Sequence, residues 1–502
     1  MSRQTGVRLA PDPNEQKGLD EGTLAPLLER VMAAEAAYLR LGQLTESAPD
    51  YQEPEAFCRD LLEDVLPRAR FRGHERDGFF AWGMSQRPAA RLLPVLASQD
   101  HLERDDKPAA RRYAERALSV NELDLYAQRL HRLSQPSPVP EADLRGRFCS
   151  NPFDKVETRT LGRVYFCCPA WLPTPIGNLD RQSAAEIWNS PTAQDIRRSI
   201  LDGSYRYCSR MHCPKLTGDT LPKVERLTSE DHKKIVAERR TELARGPKRL
   251  VLNHDLSCNL SCPSCRTRKI LAKKDEQDGL NAMSDRVLMP LFQDAQKIHV
   301  TAGGDPFGSA HYRHVLKRIC ATRPPHLKVD LQTNGLLLAQ SWDELGLDGL
   351  VDTVYISIDA TRPETYAIVR RGGEFARLLD NLEYVAVKRR DGLIRRVRLD
   401  FVVQTLNYRE MPEAVDLVRR FGFDGLKLQM IRSWRTYTPQ EFAWHNIGSP
   451  DHPLFAEFLE VLRDPRLQAR FVEFWGFYSV DLERLGVRGA PEATRADDYA
   501  DA

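Results

Sequence analysis

The chain has 502 residues, more than one ordinary domain needs, and 41% of them are hydrophobic, enough to bury sizeable cores. Its 73 basic and 71 acidic residues nearly cancel to a net charge of +2, so charge indicates neither a nucleic-acid partner nor an anionic membrane. No apolar run approaches the length of a membrane span, and the first residues lack a signal core. We therefore expect a cytoplasmic protein of two or three domains.

Residues 1–20 are polar and proline-containing, which predicts a disordered N-terminus. Over residues 21–140, apolar residues such as Leu24, Leu27 and Leu28 recur at three- and four-residue steps, the spacing of helices that bury one face. Glycines 73, 78 and 83 predict a turn region around Phe79–Trp82. We interpret this part as a helical domain that serves either as a scaffold or in binding a substrate carrier or partner.

A proline-rich linker leads into residues 141–220, where Cys149, Cys167, Cys168, Cys208 and Cys213 surround a predicted hairpin and a short helix. Clustered cysteines in a reducing cytosol are more often metal ligands than disulfides. Four thiolates suit an iron–sulfur cluster or a tetrahedral zinc site, and sequence does not rank the adjacent Cys167 and Cys168. The two isolated cysteines, at positions 58 and 320, are expected to be buried core thiols.

Residues 221–248 are charged and predict a solvated connecting helix over Leu227–Arg245. Strands and helices then alternate through residues 249–440, which predicts a parallel sheet with ligand sites at the carboxyl ends of its strands. Residues 441–502 predict a helical extension, with an amphipathic helix at Leu454–Leu462 and a disordered tail after Gly486. The predicted strands are Leu250–Asn253, Ile298–Thr301, Lys328–Gln332, Thr353–Ile358, Val397–Gln404 and Gly425–Met430.

A second cysteine group, Cys258, Cys262 and Cys265, follows the first of these strands at the spacing C-x3-C-x2-C. A compact loop of this kind can bring three thiolates to one face of a four-iron cube. The fourth iron then lacks a protein thiolate, and an open metal position is where ligand chemistry takes place.

With four later motifs in order and spacing, residues 249–440 resemble the radical S-adenosylmethionine (radical SAM) enzymes. The resemblance implies an α/β fold with a partial (β/α)6 barrel similar to a TIM barrel. It also implies a cluster at Cys258, Cys262 and Cys265 that cleaves S-adenosylmethionine (SAM). The four motifs are Thr301–Pro306, Gln332–Gly335, Tyr355–Ala360 and Phe401–Asn407.

The upstream cysteine region resembles the SPASM auxiliary-cluster domain or its shorter twitch form, through C-x12-G-x4-C, Gly-Asn-Leu, Ile-Trp-Asn-Ser and a closing cysteine pair. It departs from that family in preceding the barrel and in having too few closing cysteines for two clusters. The resemblance therefore implies a small α+β domain with one auxiliary [4Fe–4S] cluster, held by Cys149, Cys167, Cys208 and Cys213, with Cys168 as the alternative to Cys167.

By the same resemblance, residues at the strand ends would contact SAM. Asp305 stands where the family usually has glutamate, and either of two adjacent arginines is a candidate partner of the SAM carboxylate. The implied cofactor-binding residues are Gly303, Gly304, Asp305, Thr333, Asn334, Ser357, Asp359, Arg370, Arg371, Gln404, Asn407 and Met430. The candidate residues of a substrate opening are Trp434, Tyr437, Trp444 and His445.

The resemblance implies an oxidoreductase or maturase that abstracts a hydrogen atom through a 5′-deoxyadenosyl radical and oxidises or cross-links a peptide. An electron donor such as flavodoxin or ferredoxin would be its partner. One alternative is a dehydrogenase or epimerase acting on a sugar or other small metabolite. Two others are a non-catalytic zinc protein and a barrel that binds SAM without cleaving it.

Overall fold

The computed structural model divides into two compact units, Met1–Ala142 and Asp143–Ala502. It describes residues 20–44, 52–67, 73–120, 144–210, 213–301, 303–322, 324–434 and 436–477, with single positions or short stretches at 71, 126–127, 130, 134, 480–482 and 485. The predicted disordered segments, residues 1–19 and the tail after Gly486, lie outside these ranges. None of the described helices is both long and apolar enough to cross a membrane.

The first unit is helical, and its central helix α4 is buried from Leu92 to His101. This helix also carries polar side chains. Because burying a polar group without a partner is costly, these side chains are paired inside the unit. The Asp100 carboxylate is fully buried and forms ion pairs with Arg76 at 2.5 Å and Arg104 at 3.1 Å. The helices are α1 Glu21–Leu44, α2 Gln52–Val65, α3 Gly73–Gln86, α4 Leu92–Glu103 and α5 Lys107–Val120.

The turn predicted around Phe79–Trp82 is wrong, since α3 continues through all three glycines. Tertiary packing explains the difference. A Cβ at Gly83 would lie 3.4 Å from a Leu28 methyl carbon and 3.5 Å from one of Leu93. Glycine thus lets neighbouring helices approach closely, and the burial of Phe79 outweighs the roughly 1 kcal/mol that glycine costs inside a helix.

The second unit is built on one ten-stranded sheet in the order β10-β9-β8-β7-β6-β5-β4-β1-β2-β3. Strands β4 to β9 are the six predicted strands, and they run parallel, which confirms the α/β fold and the partial barrel. The strands are β1 Lys155–Arg159, β2 Arg163–Tyr165, β3 Gly177–Asn178, β4 Arg249–Asn253, β5 Lys297–Val300, β6 Lys328–Thr333, β7 Val351–Ser357, β8 Arg396–Val403, β9 Gly425–Met430 and β10 Val472–Trp475.

The sheet does not stop at the edges of the predicted barrel. Strand β1 pairs parallel with β4, from Lys155 opposite Arg249 to Arg159 opposite Asn253, and β10 pairs parallel with β9. The hairpin of the cysteine-rich region is therefore continuous with the barrel sheet. Parallel pairing also fixes direction: β1 begins just after Cys149, whereas the second cysteine group follows the carboxyl end of β4. The two cysteine groups consequently lie at opposite ends of the strands.

The helices of the second unit pack on the apolar face of this sheet, where Leu252, Ile298 and Leu399 share a core with helix residues such as Leu316. The longer helices alternate with the parallel strands, as predicted. They are α6 Asn151–Asp154, α7 Ala184–Trp188, α8 Pro191–Leu201, α9 Pro214–Thr217, α10 Glu230–Ala237, α11 Lys274–Met283, α12 Met289–Leu291, α13 Ala310–Thr322, α14 Leu338–Leu345, α15 Pro363–Val369, α16 Phe375–Arg390, α17 Met411–Phe421, α18 Pro439–His445 and α19 Phe455–Leu462.

The connecting helix predicted over Leu227–Arg245 is wrong in length, since only Glu230–Ala237 is α-helical. The segment beyond α10 is irregular because side chains of the cysteine-rich region bind its backbone. Trp188 Nε1 donates to the carbonyl of Arg245 at 2.7 Å, and Asn189 Nδ2 donates to the carbonyl of Leu243 at 2.9 Å. The segment is thus fixed to the fold rather than solvated all round.

A buried histidine pair joins β1, the start of the second cysteine loop and α13. His254 and His311 lie with their Nε2 atoms 2.9 Å apart, and Thr158 and Asn281 bond to their Nδ1 atoms. Burial, and then the neighbouring ring, hold the pKa of His254 well below its usual value, and burial lowers the pKa of His311 to about 4. Both rings are therefore neutral near neutral pH, because the pocket cannot accommodate two adjacent cations.

We expect the free energy of unfolding to fall as pH decreases below about 6.5, because the unfolded histidines bind protons before the folded ones do. The replacement H311Q should weaken that dependence, since one proton-linked group is removed. Denaturant unfolding under anaerobic conditions between about pH 8 and about pH 5.5 measures it. The exposed His326 supplies the control H326Q. An unchanged pH slope in H311Q would contradict the assignment.

Candidate functional site

The second cysteine loop leaves β4 and folds back on itself. The Cys258 amide donates to the carbonyl of Ile270 at 2.9 Å, and the Cys265 amide donates to that of Cys262 at 2.9 Å. Cys258 and Cys262 are buried, and Cys265 is exposed. Burial raises the pKa of Cys258 to about 11 and also raises that of Cys262, so thiolates here need compensating positive charge, which a bound metal supplies.

Each of these three thiols faces a side-chain donor from the protein. Asn334 Nδ2 lies 3.8 Å from Cys258 Sγ, Arg370 Nη1 lies 3.9 Å from Cys262 Sγ, and Arg266 Nη2 lies 3.6 Å from Cys265 Sγ. Donors at the ligand sulfurs and nearby positive charge stabilise thiolate ligands and tune an iron–sulfur cluster. The loop is therefore suited to hold a cluster. Arg266 was not predicted, although its place directly after the third cysteine was a possible signal.

The glycine motif after β5 packs against the cysteine loop. A Cβ at Gly304 would lie 2.7 Å from the carbonyl oxygen of Ser257 and 2.8 Å from that of Asp255. The carbonyl of Gly303 accepts from Arg266 Nη2 at 2.6 Å. The sequence predicts that these glycines let the backbone approach a ligand. In the structure, the absence of Cβ atoms lets the backbone of the cysteine loop pack closely against the motif.

Asp305 is buried, and both of its carboxylate oxygens are bound by the protein. One oxygen accepts from the amides of Phe307 and Gly308 at 3.0 and 2.9 Å, and the other accepts from Thr333 Oγ1 and the Asn334 amide, both at 2.8 Å. Burial raises its pKa, while these hydrogen bonds oppose the rise. These bonds fix the loops after β5 and β6, and the predicted contact of Asp305 and Thr333 with SAM stays a prediction.

Asp359 and Asn407 are likewise committed to the protein. Asp359 Oδ1 accepts from the Val402 amide at 2.7 Å, and Oδ2 forms an ion pair with Arg370 Nη2 at 2.9 Å. Asn407 Nδ2 donates to the carbonyls of Asp359 and Val402, and its Oδ1 accepts from the Gln404 amide at 2.8 Å. These bonds tie the end of β7 to the end of β8, and the predicted contact of both side chains with SAM stays a prediction.

Two predicted residues, Gln404 and Arg370, keep polar atoms available at the same edge, as does Asn253, which was not predicted. Gln404 Oε1, Arg370 Nε and Asn253 Oδ1 are buried and form no hydrogen bond with the described residues. Ser357 is half-buried at the end of β7. Such atoms would be costly without a ligand, so the edge suits a polar cofactor such as SAM beside the cysteine loop.

Two further predicted residues have packing roles. Arg371 is exposed and binds the cysteine loop, with Nε donating to Ser261 Oγ at 3.1 Å and Nη2 to the Thr267 carbonyl at 3.0 Å. Met430 is buried, and a Cβ at Gly448 would lie 2.7 Å from its terminal methyl carbon. The arginine that lies among the predicted SAM contacts is therefore Arg370.

An aromatic group stands beside the cysteine loop. The Tyr437 and His445 rings stack at 4.3 Å. Burial, with smaller effects that include the neighbouring Cys262 thiolate, raises the pKa of Tyr437. Trp434 and Trp444 are 52% and 49% exposed, unusual for such large rings. These four residues, here called the aromatic rim, contain both a packed pair and two accessible tryptophans.

The first cysteine group surrounds a separate cavity at the amino end of β1. Cys149, Cys167, Cys208 and Cys213 line it together with Trp171 and Leu172, and Asn151 Nδ2 donates to Cys167 Sγ at 3.4 Å. Burial raises the pKa of Cys167 to about 12 and that of Cys213 to about 11. Within the described residues, no three His, Cys, Asp or Glu side chains are arranged to hold a single metal ion.

The adjacent Cys168 does not belong to the lining of that cavity. Its thiol lies near the charges of Glu157 and Arg159 instead, and burial raises its pKa. The structure therefore favours Cys167 over Cys168 as the fourth thiol of the group.

One face of the sheet is polar, which was not predicted from the sequence. The pairing registers place buried polar side chains of six strands on that face, interrupted by Val251 on β4 and by Thr353 and Tyr355 on β7. Their alternation along the strands was a usable signal, because strands between helices are normally apolar on both faces. This polar face consists of Lys155, Glu157, His299, Asp330, Arg398, Lys427 and Glu473, all at most 2% exposed.

Comparisons with known proteins match both cysteine groups. The family model for the Radical SAM superfamily matches residues 252–418, and the SPASM model, an iron–sulfur cluster-binding domain, matches residues 149–214. These matches confirm the predicted families and their unusual order, and they imply a [4Fe–4S] cluster with SAM and auxiliary iron–sulfur binding.

Curated relatives include GTP 3′,8-cyclase of Alkaliphilus metalliredigens, 31% identical over 25% of this chain and 39% of the relative. A probable GTP 3′,8-cyclase of Methanocaldococcus jannaschii is 23% identical over 33% of this chain and 53% of the relative. The chain thus spans about two-fifths to one-half of the length of these relatives.

Similar solved structures include Streptococcus suis SuiB, with 18% identity, a TM-score of 0.32 and coverage of 49% of this chain and 53% of that chain. Another is native anSMEcpe with bound AdoMet, with 16% identity, a TM-score of 0.28 and coverage of 42% of this chain and 61% of that chain.

We expect C167A to lose about half of the iron that anaerobic reconstitution incorporates, because the auxiliary cavity loses a ligand, whereas C168A should retain nearly all of it. Iron and acid-labile sulfide analysis measures both variants. Retention by C167A together with loss by C168A would show that the adjacent thiol is the ligand.

We expect D305N to lower iron incorporation at the second cysteine group. The side-chain amide that this change introduces places an N–H donor against backbone amides that are also donors. The lost hydrogen bonds to a charged group are worth about 1.5–3 kcal/mol each. Electron paramagnetic resonance of the reduced cluster measures the loss. The exposed Asp278, paired with Lys274 at 2.6 Å, supplies the control D278N. Full cluster content in D305N would contradict the positioning role.

Proposed function

We propose that this chain, which carries a radical SAM domain preceded by a SPASM iron–sulfur domain, oxidises or cross-links a polar peptide substrate. The observation that carries the proposal is the arrangement of Cys258, Cys262 and Cys265, each facing its own donor at the carboxyl edge of the sheet. When bound there, a cluster and SAM supply a 5′-deoxyadenosyl radical that abstracts a hydrogen atom.

The chain's own residues hold and orient these groups. Asn334, Arg370 and Arg266 offset the charge of the three thiolates, and the buried ion pair between Arg370 and Asp359 keeps that guanidinium in place. Arg370 Nε, Asn253 and Gln404 offer the remaining polar contacts at the edge. Most of this constellation is buried, which excludes water from the reacting carbon.

The polar face supports a polar substrate. Its carboxylates and cations, such as Asp330 and Arg398, are paired inside the protein, and a polar substrate would match such groups better than an apolar molecule would. The accessible Trp434 and Trp444 of the aromatic rim suit contact with an extended chain whose side chain reaches inward. A peptide satisfies both features.

The auxiliary cavity supports oxidation as the net reaction. Four thiols leave no iron open to substrate, so a cluster there suits electron transfer. It lies at the amino end of β1, with the polar face between it and the second cysteine loop. An electron leaving a substrate radical would have an acceptor inside the same unit, and flavodoxin or ferredoxin would be the external donor.

A second candidate is a radical reaction on a small phosphorylated nucleoside or other metabolite. It is favoured by the names of the curated relatives, which read GTP 3′,8-cyclase, and by their match within the barrel segment. The cations of the polar face, Lys155 and Arg398, would accommodate an anionic group.

We expect the reconstituted, dithionite-reduced protein to form 5′-deoxyadenosine from SAM, and a C258A/C262A/C265A variant to form none. A substrate increases this yield and donates the hydrogen atom. Peptides and nucleotides deuterated at carbon therefore distinguish the candidates, because only a substrate transfers deuterium to 5′-deoxyadenosine. Mass spectrometry reads both. Deuterium transfer only from a nucleotide would replace the peptide proposal, and no SAM cleavage would reject the enzyme class.

A further inference from the structure

Lys155 is a fully buried lysine on the strand that joins the two cysteine regions. Its Nζ lies 3.4 Å from Glu157 Oε2 and forms no hydrogen bond with the described residues. Burying an ammonium group under these conditions is costly, and an ion pair without hydrogen bonds repays little of the cost. The site therefore needs more negative charge than Glu157 supplies, since that carboxylate is also paired with Arg159.

The contacts around α6 show where that charge belongs. Strand β1 pairs antiparallel with β2, with Glu157 opposite Tyr165, and β2 ends two residues before Cys167. The Lys155 amide donates to the carbonyl of Asn151 in α6, and Asn151 Nδ2 donates to Cys167 Sγ at 3.4 Å. Lys155 is thus one helical turn from a residue that contacts the thiol of the auxiliary cavity.

A second pairing carries the same lysine toward the barrel. Lys155 aligns with Arg249 on β4 and, through it, with Lys297 on β5, two residues before His299. Burial raises the pKa of the Cys167 thiol and lowers the pKa of the His299 ring. The Lys155 charge acts on both sides, because it lowers the pKa of each group by a smaller amount. Lys155 lies between the auxiliary cavity and the polar face.

We propose that Lys155 is a positioning residue that sets the reduction potential of the auxiliary cluster from the barrel side. The proposal rests on the ligand set Cys149, Cys167, Cys208 and Cys213. A cluster held by four thiolates is anionic and gains a further negative charge on reduction, so a buried cation beside one ligand stabilises the reduced form. A higher potential makes the cluster a better acceptor for an electron from a substrate radical.

The test isolates the auxiliary cluster in the full-length chain by replacing Cys258, Cys262 and Cys265 with alanine. In that background, K155M removes the charge, K155R keeps it, and K297M removes a lysine from the same face next to Asp330. A redox titration followed by electron paramagnetic resonance gives the midpoint potential of each variant, while iron analysis verifies that the cluster is present.

We expect K155M to shift the midpoint potential to a more negative value, K155R to stay near the parent, and K297M to shift less than K155M. An unchanged potential in K155M with full cluster content would overturn the proposal, and so would an equal shift in K297M. If K155M fails to incorporate the cluster, K155R and K155Q decide. A parent-like potential in K155R together with a lowered potential in K155Q supports the proposal. A shift in K155R as large as that in K155Q rejects the proposal. Absence of a cluster in the parent background would reject the ligand set instead.

Discussion

The carboxylate of Asp305 holds the carboxyl edge of the sheet together. Its four hydrogen bonds join the loop after β5 to the loop after β6. Its own amide donates to the carbonyl of Ser257 in the cysteine loop at 2.9 Å. The preceding Gly304 packs against the same loop, where a Cβ would meet the carbonyl oxygens of Ser257 and Asp255. A buried acid thus connects the cysteine loop with the loops after β5 and β6.

Buried charge is the second organising feature of the barrel unit. Ionic residues inside a fold cost solvation energy, and pairs such as Arg398 with Asp400 at 2.7 Å return only part of that cost. Apolar side chains could have filled the same face more cheaply. The polar substrate that we propose would account for a polar face of this extent, which stability does not require.

Much of the architecture was predictable because its signals are local. Strand–helix alternation indicated the parallel sheet, and the spacing of Cys258, Cys262 and Cys265 indicated the cluster loop. The addition of β1 to the sheet was not predictable, since its charged sequence resembles a solvated hairpin and its partner β4 is distant in the chain. Sequence places Asp359 and Asn407 at strand ends but does not show which neighbours bind their polar atoms, because those neighbours, such as Arg370 and Val402, follow from the fold.

The most direct test of the account is a crystal structure of the reconstituted protein with SAM, with diffraction measured on both sides of the iron absorption edge. The account predicts two four-iron clusters at opposite ends of the sheet. One would be bound by three cysteines and contacted by SAM near Arg370 and Gln404, and the other by four cysteines that include Cys167. Zinc in place of iron at either site, or SAM bound away from the second cysteine loop, would contradict it.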